Sequence, residues 1–277
     1  LSVVMQQLSS GKRINGASDD AAGLAIASRL TSQITGINQA VRNANDAISM
    51  IQTAEGATDS ISNMLQRMRE LTIQAGNASN GTDSKDAAAS EYGALAKEIQ
   101  RIATSTTWNG MFVLDGKFAG GGAAGTDKAT AVFIVDASAN SSGNVSLDFY
   151  SLKTGAAAGK GIEVLKATAG KAESDGNLTS AVDATKASTL IGKIDASIKF
   201  VNERRSEFGA TINRLNYSVD NLTNISTNTA ASRSRVEDVD YATATSDLAK
   251  RNIIQQAATA MLAQANQQPQ SVLQLLK

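Results

Sequence analysis

The sequence contains no histidine and no cysteine, and it has one proline, one tryptophan and few aromatic residues. Histidine is the commonest general base near neutral pH, and histidine and cysteine are the usual ligands of transition metals. Their absence excludes a disulfide framework, a thiolate nucleophile and a zinc site built from nitrogen and sulfur. Only carboxylate, hydroxyl or lysine chemistry remains. The composition therefore argues against an enzyme, and we expect no cofactor and no bound metal ion.

An excess of charge of either sign is also absent, because 26 lysine and arginine residues balance 26 aspartate and glutamate residues. A chain without a net field has no general means of attracting nucleic acid or an anionic membrane surface. No apolar run is long enough for a membrane-spanning helix, and no basic-then-apolar signal peptide opens the sequence. We therefore expect neither nucleic-acid binding nor membrane insertion.

The strongest positive signal is a heptad-like repeat in the first third of the chain. Apolar residues recur at alternating spacings of four and three, the pattern of helices that wind around each other. The first seam comprises Leu30, Ile34, Ile37, Val41, Ala44, Ile48 and Ile51. A second seam, displaced by one position, comprises Ala47, Met50, Ala54, Ala57, Ile61, Met64, Met68, Leu71 and Ala75.

The displacement between the two seams has two explanations. It is either a three-residue stammer in one seam or the sign of two partner helices on adjacent faces. In both cases Ala21 to Ala75 is predicted to form one helix of about 80 Å, given a rise of about 1.5 Å per residue. Gly76 is a natural stop for this helix.

A second heptad helix is predicted far downstream, where only Arg205 interrupts the repeat. Ser180 and Asp183 give a start signal of the capping type. A shorter helix, from about Ser84 to Thr104, is expected to pack beside the first. The seam of the downstream helix comprises Ile191, Ile194, Ile198, Val201, Phe208, Ile212, Leu215, Val219 and Leu222. The two long helices should pair as an antiparallel, coiled-coil-like rod built from both ends of the chain.

Between the heptad regions the sequence predicts a small β-rich insert. Met111 to Leu114 runs into Asp115-Gly116, which is a hairpin turn signal. Strands are predicted at Ala131 to Val135, at Val145 to Tyr150 and at Ile162 to Lys166, with Val145, Leu147 and Phe149 on one face of the second. The predicted fold class is therefore mainly α, with a small α+β outer domain inserted between the halves of the rod.

The last segment is predicted to be a helix that awaits another surface. Ser234 and Glu237 have the spacing of a capping box ahead of it, and Pro269 should break or kink it. Its apolar stripe has no obvious partner within the chain and comprises Ile254, Ala257, Met261 and Ala265. We expect this segment to be disordered in the isolated subunit.

Several long motifs at the two chain ends resemble those of the bacterial flagellins. Near the amino terminus, Leu8 to Asn15 reads LSSGKRIN and Ala17 to Ala27 reads ASDDAAGLAIA. Near the carboxyl terminus, Ser234 to Tyr241 reads SRVEDVDY and Ser271 to Leu276 reads SVLQLL. These motifs occur in the family's order and in the predicted helical context. The resemblance leads us to expect that part of the family's amino-terminal segment is missing before Leu1, which would leave the terminal stripe unpaired.

The resemblance implies a secreted structural subunit that polymerises through its terminal helices into the extracellular flagellar filament used for motility. Its partners would be copies of itself, the flagellar export apparatus with its chaperone, and a host innate flagellin receptor. The family's receptor surface carries over onto Arg67, Leu71, Gln74 and Glu91. Leu71 also lies on the second apolar seam, and Arg67 also fits a solvated helix face.

The resemblance and the patterns together divide the chain into four parts. Residues 1–116 and 179–233 are the two halves of the helical rod, and residues 117–178 are the variable outer domain. Residues 234–277 are the terminal filament-core helix. We expect the three boundaries between these parts to separate the rod, the outer domain and the terminal helix.

Two other functions fit parts of the pattern. The related hook–filament junction protein usually carries a proline after the paired aspartates, where this chain has Ala21-Ala22, so flagellin is favoured. A different class is a cell-surface flagellin homologue that binds polysaccharide or another ligand through its outer domain. That insert has no aromatic platform beyond Phe133, Phe149 and Tyr150, which neither supports nor excludes this reading.

Overall fold

The computed structural model describes residues 2–116, 128–136, 143–152, 178 and 184–275, with side chains described up to residue 265. The described part is mainly α-helical with a small strand-containing insert, as the sequence predicted. None of its helices is both long and apolar enough to cross a membrane. In chain order the elements are α1 (Ser2–Ser10), α2 (Ala21–Gly76), α3 (Thr82–Ser105), β1 (Thr107–Trp108), β2 (Met111–Phe112), β3 (Lys128–Phe133), β4 (Val145–Tyr150), α4 (Ala184–Glu237) and α5 (Tyr241–Leu275).

The chain forms two compact units. The chain-end unit comprises Leu1–Asn38 and Thr223–Lys277, and the central unit comprises Gln39–Leu222. Helices α2 and α4 contribute residues to both units. The observed bounds of α2 match the predicted helix almost to the residue, and α3 lies where the shorter helix was expected.

In the central unit, helix α2 has two partner helices. Arg67 of α2 forms an ion pair with Glu91 of α3, with 2.8 Å between Nε and Oε1. Arg69, two positions further on, pairs with Asp195 of α4, with 2.7 Å between Nε and Oδ1. Positions 67 and 69 of α2 therefore face different partner helices. Two partner helices along this part of α2 agree with the second of the two explanations above.

Helices α2 and α4 run antiparallel within each unit. In the central unit, Asp59 pairs with Arg205 at 2.9 Å, whereas the later Arg69 pairs with the earlier Asp195. In the chain-end unit, the guanidinium of Arg233 lies 3.4 Å from the hydroxyl of Thr31. The hydroxyl of Ser226 donates to the side-chain oxygen of Asn38 at 3.2 Å. The antiparallel pairing predicted from the two heptad regions is thus confirmed.

Strands β3 and β4 pack into the core of the central unit. They pair antiparallel, with Ala129 opposite Phe149. Val145, Leu147 and Phe149 are buried in alternation, as predicted for one face of this strand. The ring of Phe149 lies 5.7 Å from that of Phe208 on α4, measured between centroids. The strands belong to the same hydrophobic cluster as the helices, and the strand predicted at Ile162 to Lys166 lies outside the described residues.

The structure has a hairpin turn that the sequence analysis did not predict, ahead of the one predicted at Asp115-Gly116. Thr107 pairs with Phe112 and Trp108 with Met111, so the turn is at Asn109-Gly110. These two residues have φ values of 48° and 77°, as a type I′ turn requires. An Asn-Gly pair is the stronger sequence signal for this turn. Asp115-Gly116 instead lies in a bend after β2, where Gly116 has a φ of 71°.

The boundary between the last two helices is also corrected. Ser234 and Glu237 do not start a helix but lie in the last turn of α4. Asp240 is the residue that caps α5, because its carboxylate accepts the backbone N–H of Ala242 and the hydroxyl of Thr243, each at 2.9 Å. The start signal at Ser180 lies outside the described residues, and α5 continues past Pro269.

Candidate interaction surfaces

The connectors at the two chain ends lie side by side. Lys12, between α1 and α2, and Asp238, between α4 and α5, form an antiparallel bridge. The N–H of Arg13 donates to the carbonyl of Glu237 at 2.7 Å, and the N–H of Val239 donates to the carbonyl of Gly11 at 3.0 Å. The motifs LSSGKRIN and SRVEDVDY, read separately in the sequence, therefore form one structural feature. We call it the chain-end joint.

Side chains reinforce the chain-end joint. The ammonium group of Lys12 contacts the Glu237 carboxylate at 2.5 Å, and the Glu237 side chain is only 15% exposed. The guanidinium of Arg13 donates to the carbonyl of Val236 at 2.8 Å, although 223 residues separate the two in sequence. Ion pairs on an open surface contribute little to the free energy of folding. The Glu237 carboxylate is mostly buried, so leaving it without the Lys12 cation would be costly.

Two glycines in the motifs have steric reasons to be glycine. Gly11 has a φ of +71°, and a Cβ there would lie 3.2 Å from the hydroxyl oxygen of Tyr241. A Cβ on Gly23 would lie 2.4 Å from the carboxylate of Asp20 and 2.6 Å from Cδ1 of Ile14. Asp20 caps α2 by accepting the N–H of Gly23 at 2.8 Å. The sequence Asp-Asp before a long apolar repeat is the signal by which this cap could have been predicted.

The terminal stripe on α5 faces solvent in the described chain. Ile254 is 55% exposed and Met261 is 69% exposed, and Ala257 and Ala265 are exposed as well. Helix α1 packs against α5, where Val4 and Ala244 are buried. The stripe itself, from Ile254 to Ala265, has no such cover among the described residues. An apolar row of this length in water is typical of a surface that another helix covers.

The four residues carried over from the family's receptor surface divide into two groups. Arg67, Gln74 and Glu91 are exposed, whereas Leu71 is 2% exposed and belongs to the core. The guanidinium of Arg67 donates to both carboxylate oxygens of Glu91, at 2.8 and 3.2 Å. These hydrogen bonds hold the pKa of Glu91 below its ordinary value. Arg67 also reaches Glu70 at 3.0 Å.

The predicted seam residues lie at the helix interfaces to different depths. Some are nearly inaccessible: Ile37, Val201, Phe208 and Leu215. Others are half-buried: Ile34, Val41, Ile48, Ile198, Ile212 and Val219. The sequence reading missed buried polar residues such as Ser197 and Thr72. Their hydroxyls donate to carbonyls one turn earlier, Ser197 to Lys193 at 2.9 Å and Thr72 to Met68 at 2.8 Å, which is how serine and threonine are accommodated inside helices.

Comparisons with known proteins agree with this arrangement. Residues 1–119 match the family model of the bacterial flagellin N-terminal helical region, and residues 191–276 match that of the C-terminal helical region. The chain is 42% identical to flagellin of Halalkalibacterium halodurans, over 99% of this chain and 90% of that protein. It is 40% identical to flagellin of Bacillus subtilis, over 99% of this chain and 91% of that protein.

A solved structure shares the fold at much lower identity. The structure of a putative flagellar hook-associated protein from Vibrio parahaemolyticus superposes with a TM-score of 0.61 at 16% identity. The matched region covers 79% of this chain and 100% of the Vibrio parahaemolyticus chain. This likeness concerns the fold alone, whereas the relatives above are flagellins throughout their length. The chain therefore belongs to the bacterial flagellins, and it is a structural subunit that polymerises with copies of itself into the extracellular flagellar filament, not an enzyme.

Proposed function

We propose that the subunit assembles through helices α1 and α5, and that the stripe Ile254, Ala257, Met261 and Ala265 is a filament contact. The observation that supports this most strongly is the exposure of the stripe in a chain that functions as a polymer. Before assembly, the subunit passes through the flagellar export apparatus with its chaperone. Of residues 234–277, which the sequence predicted to be disordered in the free subunit, the part of α5 beyond its contact with α1 is disordered before assembly. Residues 117–178 remain the variable outer part.

The magnitude of apolar burial favours this contact. Removing a large aliphatic side chain from water contributes about 1.5–3 kcal/mol. Ile254 and Met261 are joined on α5 by Ile253 and Leu262, which are 66% and 63% exposed. Covering four such side chains contributes at most about 6–12 kcal/mol in each subunit, which offsets part of the entropy lost on ordering the helix. A helix from a second copy is the natural cover, since the stripe has the spacing of helix–helix packing.

The chain-end joint gives this contact its geometry. Lys12 and Glu237 hold the connector before α2 against the connector before α5, so α1 and α5 leave the joint together. A joint of this kind limits the directions that α5 can take. It thereby reduces the ordering entropy that assembly has to overcome.

The exposed part of the receptor surface is proposed as a contact for a host innate flagellin receptor. Arg67, Gln74 and Glu91 offer a paired cation and anion next to an amide, which suits a polar partner surface. Leu71 would act indirectly, because its side chain fixes α2 from inside the core. Arg67→Ala should therefore weaken receptor binding without unfolding the protein, whereas Leu71→Ala should lower the unfolding temperature.

Seeded polymerisation tests the assembly proposal. In the full chain, Ile254→Asp places a carboxylate in the stripe and should stop growth from filament fragments, observed by electron microscopy. Gln256→Asp is the matched control, because Gln256 lies about 160° around the helix from Ile254. It should grow like the parent. Normal growth of the Ile254→Asp subunit would overturn the proposal.

A further inference from the structure

Four of the six methionines have opposite environments, and the other two, Met64 and Met111, are half-buried. Met5 and Met261 lie in the chain-end unit and are 51% and 69% exposed. Met50 and Met68 lie in the central unit and are 1% and 0% exposed. The sequence has no cysteine, so methionine thioethers are the only sulfur in the chain. The most accessible sulfur therefore lies on the surface proposed for assembly.

We infer that Met261 is an oxidation site of the free subunit, accompanied by Met5, and that its conversion to the sulfoxide by hydrogen peroxide blocks filament growth. The second half of this inference rests on the proposed function of the stripe. The oxidation itself does not, because it follows from exposure and sulfur chemistry.

The reaction needs no other group of the protein. A lone pair on the thioether sulfur attacks one oxygen of hydrogen peroxide, an S–O bond forms and the O–O bond breaks. The sulfur loses two electrons, and the second peroxide oxygen leaves as water after proton transfer within the solvent. Susceptibility follows exposure. Met50 and Met68 can react only after the central unit opens locally.

The product has the wrong polarity for the surface on which it lies. Met261 shares the stripe with Ile254, Ala257 and Ala265, and the thioether is apolar and adaptable. A sulfoxide is polar and carries a strong hydrogen-bond acceptor, which must lose its water when a partner helix covers it. Oxidation should therefore act like a polar substitution at position 261. A sulfoxide reductase would reverse it.

Peptide mass spectrometry after timed exposure to hydrogen peroxide tests the site. In the free full-length subunit, Met261 and Met5 should gain one oxygen at least about tenfold faster than Met50 and Met68. In preassembled filaments, Met261 should be protected. Equal rates for the exposed and buried methionines of the free subunit would overturn the assignment.

Seeded growth after the same treatment tests the consequence. Oxidised subunits should elongate filaments at least about tenfold more slowly, which corresponds to 1.4 kcal/mol. For each variant, the growth rate after treatment is divided by the rate of the same variant before treatment. This ratio should stay near one for Met261→Leu, whatever its own untreated rate, and should fall for Met5→Leu as for the parent. Methionine sulfoxide reductase should restore growth of the parent. Selective oxidation with unchanged growth would overturn the blocking effect. If Ile254→Asp nevertheless stops growth, the proposed function stands and only the redox inference fails.

Discussion

The central unit and the chain-end unit treat their apolar residues in opposite ways. In the described central unit, residues from α2, α3, α4 and the β3–β4 hairpin form one hydrophobic cluster. In the described chain-end unit, the buried apolar side chains are Val4, Ile14, Ala27, Ile37 and Ala244. That unit exposes nine large apolar residues: Val3, Met5, Ile26, Ile225, Tyr241, Ile253, Ile254, Met261 and Leu262. The described part of the larger central unit exposes five: Ile73, Phe112, Val132, Ile134 and Tyr217.

The difference indicates that the two units have different roles within one helical chain. A unit with a closed core is stable by itself, whereas a unit with an open apolar surface gains stability when a partner covers it. Similar heptad spacing occurs in both units, so spacing alone does not distinguish them. What distinguishes them is whether the chain supplies its own partner helix.

The largest effect is expected from a charge in the central core. Ile194 is fully buried, so Ile194→Asp should lower the free energy of unfolding by about 4 kcal/mol or more, a large part of a typical margin. Urea unfolding followed by circular dichroism measures this. Ile254→Asp in α5 is the control and should leave the unfolding midpoint of the central unit unchanged. Equal destabilisation by the two changes would contradict the contrast.

A somewhat smaller effect is expected where the insert meets the helices. Phe208 stacks on Phe149, and Phe208→Ala should cost about 3–5 kcal/mol by leaving a cavity. Tyr217→Ala, on the same helix but at a position 75% exposed, should change the unfolding midpoint little. If Phe208→Ala were equally mild, the hairpin would not be part of the central core.

Glycine-to-alanine changes should have opposite signs in the two units. Gly23→Ala would push a methyl group into Ile14 and Asp20, and should cost about 1–3 kcal/mol in the chain-end unit. Gly56 has open space around it and lies inside α2, so Gly56→Ala should add about 0.5–1 kcal/mol. Thermal unfolding of both variants decides the matter, and two shifts of the same sign would refute the packing at Gly23.

The smallest effect concerns acid pH. Hydrogen bonds from Arg67 lower the pKa of Glu91 in the folded protein. A lowered folded pKa stabilises the protein above the unfolded value of about 4.3 and loses that contribution as pH falls through the folded pKa. The difference in urea midpoint between the parent and Glu91→Gln should therefore be small at pH 7 and vanish in acid. A difference that grew in acid would have the wrong sign.

The sequence predicted the long helices because their period is regular over many turns. The repeat from Leu30 to Ala75 lies inside α2, and the helix ends at the predicted glycine, Gly76. The sequence could not show that Glu237 belongs to the end of α4, because Lys12, the ion-pair partner of Glu237, is far away in sequence. The Ser234–Glu237 spacing is a local signal, and the distant contact overrode it.

The candidate surfaces could be predicted only in part. The stripe through Ile254 and Met261 could be predicted because its apolar residues have helical spacing. Its lack of an internal partner could be predicted because the other apolar seams pair with each other. The exposure of Arg67 and the burial of Leu71 on the same short stretch required the position of α3. Buried hydroxyls such as Thr72 were missed, since a threonine reads as polar until its carbonyl acceptor on Met68 is known.

Hydrogen exchange in the free subunit and in the filament tests the contrast between the units most directly. Amides from Ile253 to Ala265 should exchange rapidly in the free subunit and become protected in the filament. Amides around Ile61 and Ile194 should be protected in both states, because the core of the central unit is already closed. Strong protection of Ile253 to Ala265 in the free subunit, or unchanged exchange there after assembly, would contradict the account.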